Sequence, residues 1–366
     1  MPNNAPGKCQ VVLTLLIVGV IIPGMIGAQS SPENLLLKNY RPKSIYNIPR
    51  THVEKAKYPA IDMHSHPYAR GPEEIAQWVK NMDAVGIERT IILTSSTGAK
   101  FDSVYALYSK YPNRFELWCG FDFKDYDQPN FGPAAAAELE RCYKMGARGV
   151  GEISDKGKGL YSGSGMKAPG LRLDDPRMDP LLVKCAELGM PVNIHVAEPI
   201  WMYQPMDSTN DGLMNAYTWR LDNQPGIVDH AGMIAILERA AQRHPKTTFI
   251  ACHFANCCYD LNKLGALLDQ YPNLYADISA RYAETAPIPR FTVEFYEKYQ
   301  DRLLYGTDMG FDPAMYRITF RILESADEHF YETEEFGYHW ALNGFGLSDE
   351  VLKKLYRENA LKVMRK

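Results

Sequence analysis

The chain has 366 residues, of which 46% are hydrophobic and 23% are charged, and its formal net charge at pH 7 is −4. This length suffices for one large domain or two ordinary ones, and the composition is that of a globular protein. Because no lysine- and arginine-rich run offers a surface for phosphates, the sequence argues against a nucleic-acid partner and against a nuclease.

The N-terminus resembles a secretory signal. Lys8 precedes an uncharged apolar run at 11–22, and small residues follow it before Ala28. A positive start, a short apolar run and small residues at its end are typical of a signal peptide. We therefore predict a cleavable signal at 1–28, an exported protein without a stable membrane span, and a polar lead segment at 29–57. An N-terminal membrane anchor is the alternative.

Six cysteines follow the apolar run and form an even set: Cys119, Cys142, Cys185, Cys252, Cys257 and Cys258. A chain of this length can bury enough apolar surface without disulfides. Several of these cysteines fall inside strand-like or helix-like runs, where a small buried side chain is the ordinary role. We predict that most of them are free, buried thiols.

Strand-like and helix-like runs alternate over residues 58–366, which we interpret as one domain. The strand-like runs cover 60–66, 89–94, 115–121, 149–153, 191–197, 248–254, 274–279 and 302–307. The amphipathic, helix-like runs cover 73–84, 102–110, 134–145, 180–188, 227–243, 261–270, 290–299 and 313–326. Eight β runs, each followed by an α run, predict an α/β protein with the (β/α)8 TIM-barrel fold. The competing doubly wound sheet would need a glycine-rich loop after the first strand, which is absent.

Two long insertions interrupt this alternation. The first, at 154–179, is rich in glycine and lysine, and the second, at 198–225, carries Trp201, Tyr203 and Arg220. Both follow strands, so in a barrel both lie at the C-terminal mouth where such enzymes build their sites. Long loops there are typical of functional lids, although disorder is the alternative for the glycine-rich insertion.

Polar residues stand at the C-terminal ends of five strand-like runs. The segment AIDMHSHP (60–67) places two histidines on one side of a strand, because residues two apart project the same way. The full set is His64, His66, Glu152, His195, His253 and Asp308. Imidazole with carboxylate is a first-row metal environment, in which zinc is the usual occupant and manganese and iron(II) are alternatives. The sequence therefore predicts a metal site at the barrel mouth.

These motifs resemble the metal-dependent amidohydrolase superfamily. The matching elements are DMHSH at 62–66, the strand histidines and the GTD triplet that ends at Asp308. Segments 174–195 and 347–364 are similar to the amidohydrolase-2 group, which includes aminocarboxymuconate-semialdehyde decarboxylase. The resemblance covers residues 58–365.

The resemblance implies that one divalent metal is held by four residues, with His253 beside the reactive water or substrate. The four ligands are His64, His66, His195 and Asp308. Glu152 complicates this picture, because it stands where binuclear, phosphotriesterase-like members place a bridging acid. With Glu152 and His253 as further ligands the site would hold two metals; we favour one.

The main functional hypothesis is a hydrolase acting on an amide, ester or lactone of a small molecule. Asp308 would take the proton of the attacking water and pass it to the leaving group, and His253 would polarise the carbonyl. A decarboxylase of an unsaturated or aromatic acid is the alternative. It requires a cation that anchors the substrate carboxylate.

The substrate-binding candidates are Arg281, beyond the seventh strand-like run, and Arg172, Trp201 and Tyr203 in the insertions. A third hypothesis is a non-catalytic ligand-binding barrel, whose aromatic side chains would stack on a sugar. A homodimer formed through the barrel helices is a further expectation.

Overall fold

The computed structural model describes residues 31–162 and 167–364. The signal peptide predicted at 1–28 lies outside these residues. The chain divides into two compact units, one up to Tyr40 and one from Arg41 onward. The described part of the first unit contains two short 3-10 helices, Pro32–Asn34 and Leu37–Asn39. Among the described residues, no helix has the length and apolar character that crossing a membrane requires.

The described residues of the second unit form ten β-strands. They are β1 Ala60–Ser65, β2 Ile87–Leu93, β3 Phe115–Trp118, β4 Val150–Asp155, β5 Gly159–Ser162, β6 Lys167–Pro169, β7 Val192–Val196, β8 Phe249–Ala251, β9 Leu274–Asp277 and β10 Leu303–Leu304. One sheet has the order β1-β2-β3, and the other has the order β10-β9-β8-β7-β4-β5-β6. Strands β5 and β6 form an antiparallel hairpin on the edge of β4. The other eight strands pair in parallel, as the β/α alternation predicts.

Backbone hydrogen bonds join the two sheets at both seams. Between β10 and β1, Met63 N donates to Tyr305 O at 2.9 Å and Asp308 N donates to His64 O at 2.8 Å. Between β3 and β4, Gly151 N donates to Cys119 O at 2.8 Å. The eight parallel strands therefore form a TIM barrel, which confirms the predicted fold class.

The helices of the second unit follow the strands. They are α1 Pro72–Val85, α2 Gly98–Tyr108, α3 Phe131–Met145, α4 Asp179–Leu188, α5 Leu213–Ala216, α6 His230–Arg243, α7 Leu261–Gln270, α8 Tyr282–Thr285, α9 Pro289–Lys298, α10 Pro313–Glu324, α11 Asp349–Lys353 and α12 Asn359–Met364. Helix α6 begins later than the pattern predicts, because the Asp229 side chain caps it by accepting a hydrogen bond from Gly232 N. Helix α10 is capped in the same way by Asp312.

The core has two parts. A large apolar cluster contains residues of most strands and helices, and a smaller one contains Ile61, Met63, Ile91, Leu93, Trp118, Ile250, Tyr275, Leu304, Ala360 and Val363. Since the smaller cluster joins residues of six strands, it fills the barrel interior, and α12 covers one end of it. The six cysteines of the described residues are free and buried, which confirms that prediction.

Strand β1 departs from strict alternation. Alternation predicts that Asp62, His64 and His66 share a face. Instead, Asp62 accepts hydrogen bonds from Thr307 Oγ1 at 2.7 Å and from the Tyr316 hydroxyl of α10 at 3.3 Å. The pairing of β1 with β2 shifts register between Asp62 and Ser65, which changes the direction of the side chains beyond that point.

The segment at 328–346, a long excursion in the sequence, packs on its own barrel. The Tyr338 hydroxyl donates to Glu284 at 2.9 Å, and Trp340 Nε1 donates to Ala283 O at 2.9 Å. Asn343 Nδ2 donates to Ala286 O at 3.0 Å. These bonds fix the excursion to α8 and to the residue that follows it.

Candidate metal centre

His64 lies at the end of β1 and is fully buried. Its Nδ1 is 2.9 Å from Asp277 Oδ2, a carboxylate that also accepts a hydrogen bond from Asn193 Nδ2 at 3.1 Å. This contact fixes the ring and directs Nε2 towards Asp308 Oδ1, at 3.7 Å. Burial opposes protonation of His64, but the nearby carboxylates outweigh it and raise its pKa to about 9.

His66 and Asp308 meet across the seam between β1 and β10. His66 Nδ1 is 3.0 Å from Leu93 O, and its Nε2 is 3.0 Å from Asp308 Oδ1. Burial favours the neutral acid at Asp308, but His64 and His66 outweigh it and lower its pKa to about 2. Asp308 is therefore a carboxylate that accepts hydrogen bonds, one of them from the Tyr68 hydroxyl at 3.3 Å.

His195 on β7 and Glu152 on β4 form the opposite side of the centre. His195 Nδ1 is 2.8 Å from Glu152 Oε1, and the other oxygen, Oε2, is 3.4 Å from His66 Nε2. Burial alone would raise the pKa of Glu152. Hydrogen bonds from His195, His253 and His66 outweigh burial and hold it well below its usual range.

His253 follows β8 and lies between these two sides. Its Nδ1 is 2.9 Å from Ser279 O, and its Nε2 is 3.5 Å from Glu152 Oε1 and 3.7 Å from Asp308 Oδ2. Burial lowers the pKa of His253. The backbone is left-handed at His253, with φ +58°, and at Asp308, with φ +56°. Such strain at residues other than glycine concentrates at functional sites.

The structure thus brings all six residues predicted from the strand ends to one place. Within the described residues, two donor sets have their ligand atoms within 4.8 Å of one another: His64, His66 and Asp308, and His64, Glu152, Cys252 and His253. Cys252 was not among the predicted site residues. Its position beside His253 in the sequence is the one signal that could have indicated it.

A cavity of about 350 Å³ opens beside this cluster. Its lining includes His66, Glu152, His195 and Asp308 from the strand ends, Ser154 from β4, Lys100 from α2, and Ser95, Ser96, Lys156 and Tyr161 from the loops and the hairpin. Lys156 forms an ion pair with Glu198, whose other oxygen, Oε2, is 3.5 Å from His195 Nε2. The sequence carries no signal for Lys156 or Glu198, because Lys156 is one of several lysines in a glycine-rich insertion and Glu198 is a single acid after a strand.

The predicted substrate-binding residues lie outside the lining of this cavity. The guanidinium of Arg281 donates to Asn256 Oδ1 at 2.6 and 3.0 Å, and that of Arg172 donates to Asp155 at 2.7 Å. Trp201 packs against Trp340, with ring centroids 5.7 Å apart. The Tyr203 ring lies 6.2 Å from the ring of His230. Their role in substrate binding stays a prediction.

The chemistry of the cluster fits a divalent metal. The Nε2 atoms of His64 and His195 are buried and have no hydrogen-bond partner within the described residues. A buried imidazole nitrogen without a partner is costly unless another ligand satisfies it. In each ring the other nitrogen contacts a carboxylate, an arrangement that orients histidine ligands in metal sites.

The comparison with protein families gives a match to the amidohydrolase family over residues 50–366. The chain belongs to this amidohydrolase family. This confirms the resemblance found in the sequence and makes the protein a metal-dependent enzyme of the amidohydrolase type. No curated protein matches the chain in a sequence search.

Solved structures with the same fold cover 84% of this amidohydrolase chain. An uncharacterised TIM-barrel protein from Bordetella bronchiseptica has a TM-score of 0.53 and 16% identity, with 98% of that chain covered. A 2,6-dihydroxybenzoate decarboxylase from Rhizobium has a TM-score of 0.50 and 17% identity, with 99% covered. A dihydroxybenzoic acid decarboxylase from Polaromonas, with bound manganese and 2-nitroresorcinol, has a TM-score of 0.53 and 16% identity, with 97% covered.

Proposed function

We propose that this amidohydrolase is a metal-dependent decarboxylase of a small aromatic or unsaturated carboxylic acid. The observation that carries the proposal is the pairing of a histidine–carboxylate centre with a cation, Lys156, in the wall of one small cavity. The proposal gains support from the two decarboxylases that share its fold. The volume of the cavity lies near the lower end of the range for small-molecule sites, which suits a single-ring acid.

The residues that would hold the metal are His64, His66, His195 and Asp308. A divalent ion there would act as a Lewis acid towards negative charge on substrate oxygens. Imidazole and carboxylate donors suit zinc, manganese and iron(II) alike. Elemental analysis of the purified protein identifies the ion and its stoichiometry.

Lys156 would bind and orient the substrate carboxylate. The Lys156 side chain is fixed by its ion pair with Glu198 and lies over the ring of Trp219, with Nζ 5.7 Å from the ring centroid. Lys100 stands on the same wall and supplies a second positive charge. Together they place the acid group against the histidine–carboxylate centre.

His253 would supply the proton that replaces carbon dioxide, and the Asp308 carboxylate would relay protons to it. The bond between the substrate carbon and the carboxyl carbon breaks, its electron pair stays on the substrate carbon, and that carbon takes the proton. His253 Nε2 and Asp308 Oδ2 are 3.7 Å apart, so both groups lie at the same part of the centre. Because burial lowers the pKa of His253, its protonated form is a ready donor.

Hydrolysis, the main hypothesis from the sequence, is the second candidate. The specific observation in its favour is the position of the Asp308 carboxylate beside His66 and His64, since an ionised carboxylate there is a base that could activate water. The same cavity would then receive an amide, ester or lactone.

One experiment separates the two candidates. The metal-loaded protein is incubated in D2O with benzoic acids that carry hydroxyl groups, including 2,6-dihydroxybenzoate, and with aryl esters and lactones. We expect carbon dioxide release and one deuterium on the carbon that lost it, measured by mass spectrometry. Ester or lactone cleavage without carbon dioxide release from any acid would contradict the decarboxylase and favour the hydrolase.

A further inference from the structure

A second and larger cavity, of about 660 Å³, lies next to the metal centre. Its walls are the β5–β6 hairpin and the segment 221–227. The apolar part of the lining includes Leu160, Leu221 and Ile227. Neither the sequence motifs nor the family assign a ligand to this cavity.

The two cavities share a wall. Lys156 and Tyr161 line both of them, and each is half-buried. The two cavities are therefore neighbours, and a molecule that occupied both would pass these two side chains.

The second cavity is positively charged. Its lining has four cations, Lys156, Lys158, Lys167 and Arg172, and no acidic residue within the described parts of the chain. Arg172 forms an ion pair with Asp155, and Lys156 forms one with Glu198 at the wall that both cavities share.

The other two cations are not paired with an acidic side chain of the described residues. Lys158 contacts the neutral side chain of Gln224, and Lys167 forms no ion pair within the described residues. Two uncompensated positive charges over an apolar floor fit a ligand with a hydrocarbon or ring body and a negatively charged end.

We propose that the second cavity holds the distal, anionic end of the substrate. The substrate is then an elongated acid with two negatively charged groups, one at the metal centre and one at Lys158 and Lys167. This inference rests on the proposed function, because it takes the first group to be the carboxylate that leaves. The β5–β6 hairpin, which is an addition to the eight-stranded barrel, sets the length and the charge of the substrate.

The test compares benzoates that carry a terminal carboxylate on a 4-alkyl chain of increasing length with benzoates whose chain ends in a methyl group. Binding to the metal-loaded protein is measured by calorimetry. We expect the diacid to bind about tenfold more tightly than its monoacid partner at one chain length, since one charge-assisted contact gives a factor of this size.

The decisive variant carries Lys158→Met together with Lys167→Met. We expect the diacid preference to fall to about onefold while monoacid affinity stays unchanged. Lys158→Arg with Lys167→Arg keeps the charge and should keep the preference. The matched control is Lys184→Met with Lys298→Met, two lysines outside both cavities, which should leave all affinities unchanged. Thermal melts of every variant verify that the hairpin substitutions leave the fold intact.

Three outcomes would overturn the inference. The first is equal binding of diacid and monoacid at every chain length, and the second is a preference that survives Lys158→Met with Lys167→Met. The third is that phosphate binds, benzoate binding is unchanged by it, and diacids are not preferred. This result would assign the cavity to a separate anion.

If diacids bind better but none loses carbon dioxide, the binding site stands and the proposed reaction fails. If monoacids are decarboxylated without any diacid preference, the reaction stands and the inference fails.

Discussion

The strand ends and the two insertions contribute to the same mouth in different ways. The side chains at the strand ends are mostly buried, and a contact through Nδ1 fixes each histidine ring, as Asp277 does for His64. The insertions instead bring half-buried or exposed cations such as Lys156 and Lys158. Under the proposed function, the strands would carry the reaction, whereas the insertions would select the substrate.

The largest effect is expected when the predicted metal ligands at the end of β1 are removed. We expect His64→Ala with His66→Ala to abolish metal binding and activity, because two of the donors disappear. Elemental analysis of the purified variant measures the metal content. The control is His52→Ala with His329→Ala, two histidines outside the cluster. Unchanged metal content in the His64 and His66 variant would refute the metal centre.

Asp308→Asn tests the proton transfer that we assign to the strand ends. We expect kcat to fall about 1,000-fold, since the amide cannot exchange a proton, while part of the metal stays bound. Rates of carbon dioxide release, together with metal content, provide the measurement. Full activity in this variant would remove Asp308 from the mechanism.

Glu152→Gln tests how many metal ions bind at the strand ends. Glu152 contacts His66, His195 and His253, so it occupies a bridging position. With one metal, we expect the stoichiometry to stay near one in both proteins. A fall from about two to about one would establish a bridged pair.

Lys156→Met tests whether the first insertion binds the substrate. We expect KM for the acid substrate to rise about tenfold and kcat to change less, because a charged contact in the ground state is lost. Steady-state kinetics measure both constants. The control is Lys80→Met on α1, which should leave both constants unchanged. A large fall in kcat with constant KM would place Lys156 in the reaction itself.

The smallest effect on activity is expected in the second insertion. Trp201 packs on Trp340, so we expect Trp201→Leu to lower the free energy of unfolding by about 1 kcal/mol through the lost ring contact. The kinetic constants should stay unchanged. Denaturant unfolding and steady-state kinetics measure the two effects. A tenfold rise in KM would instead return Trp201 to the substrate-binding residues, where the sequence placed it.

The barrel was predictable because its signal repeats along the chain. Eight strand-like and eight helix-like runs each carried the period of a strand or a helix, and errors at single boundaries left their order unchanged. The predicted strand at 248–254 is β8 Phe249–Ala251 in the structure. It ends early because the backbone turns left-handed at His253, Phe254 and Ala255, a change that side-chain pattern does not encode.

The metal-site candidates were predictable because strand ends of a barrel converge, so residue type and position sufficed. The second cavity was not predictable in this way. Its cations become neighbours only when β5 pairs with β6 and when the segment 221–227 closes over them. In the second insertion, Trp201 and Tyr203 contact Trp340 and His230, partners that the sequence pattern did not indicate, and the role of both residues in substrate binding stays a prediction.

The seam between β10 and β1 has a consequence for the order of events during synthesis. Thr307 N donates to Asp62 Oδ1 at 3.0 Å, a contact between residues 245 apart in the chain. A nascent chain that ends before this point has His64 and His66 but lacks Asp308. Contacts at such separation also slow folding, because the loop between them must close first. A metal held by these three residues would therefore bind late, when nearly the whole chain has left the ribosome.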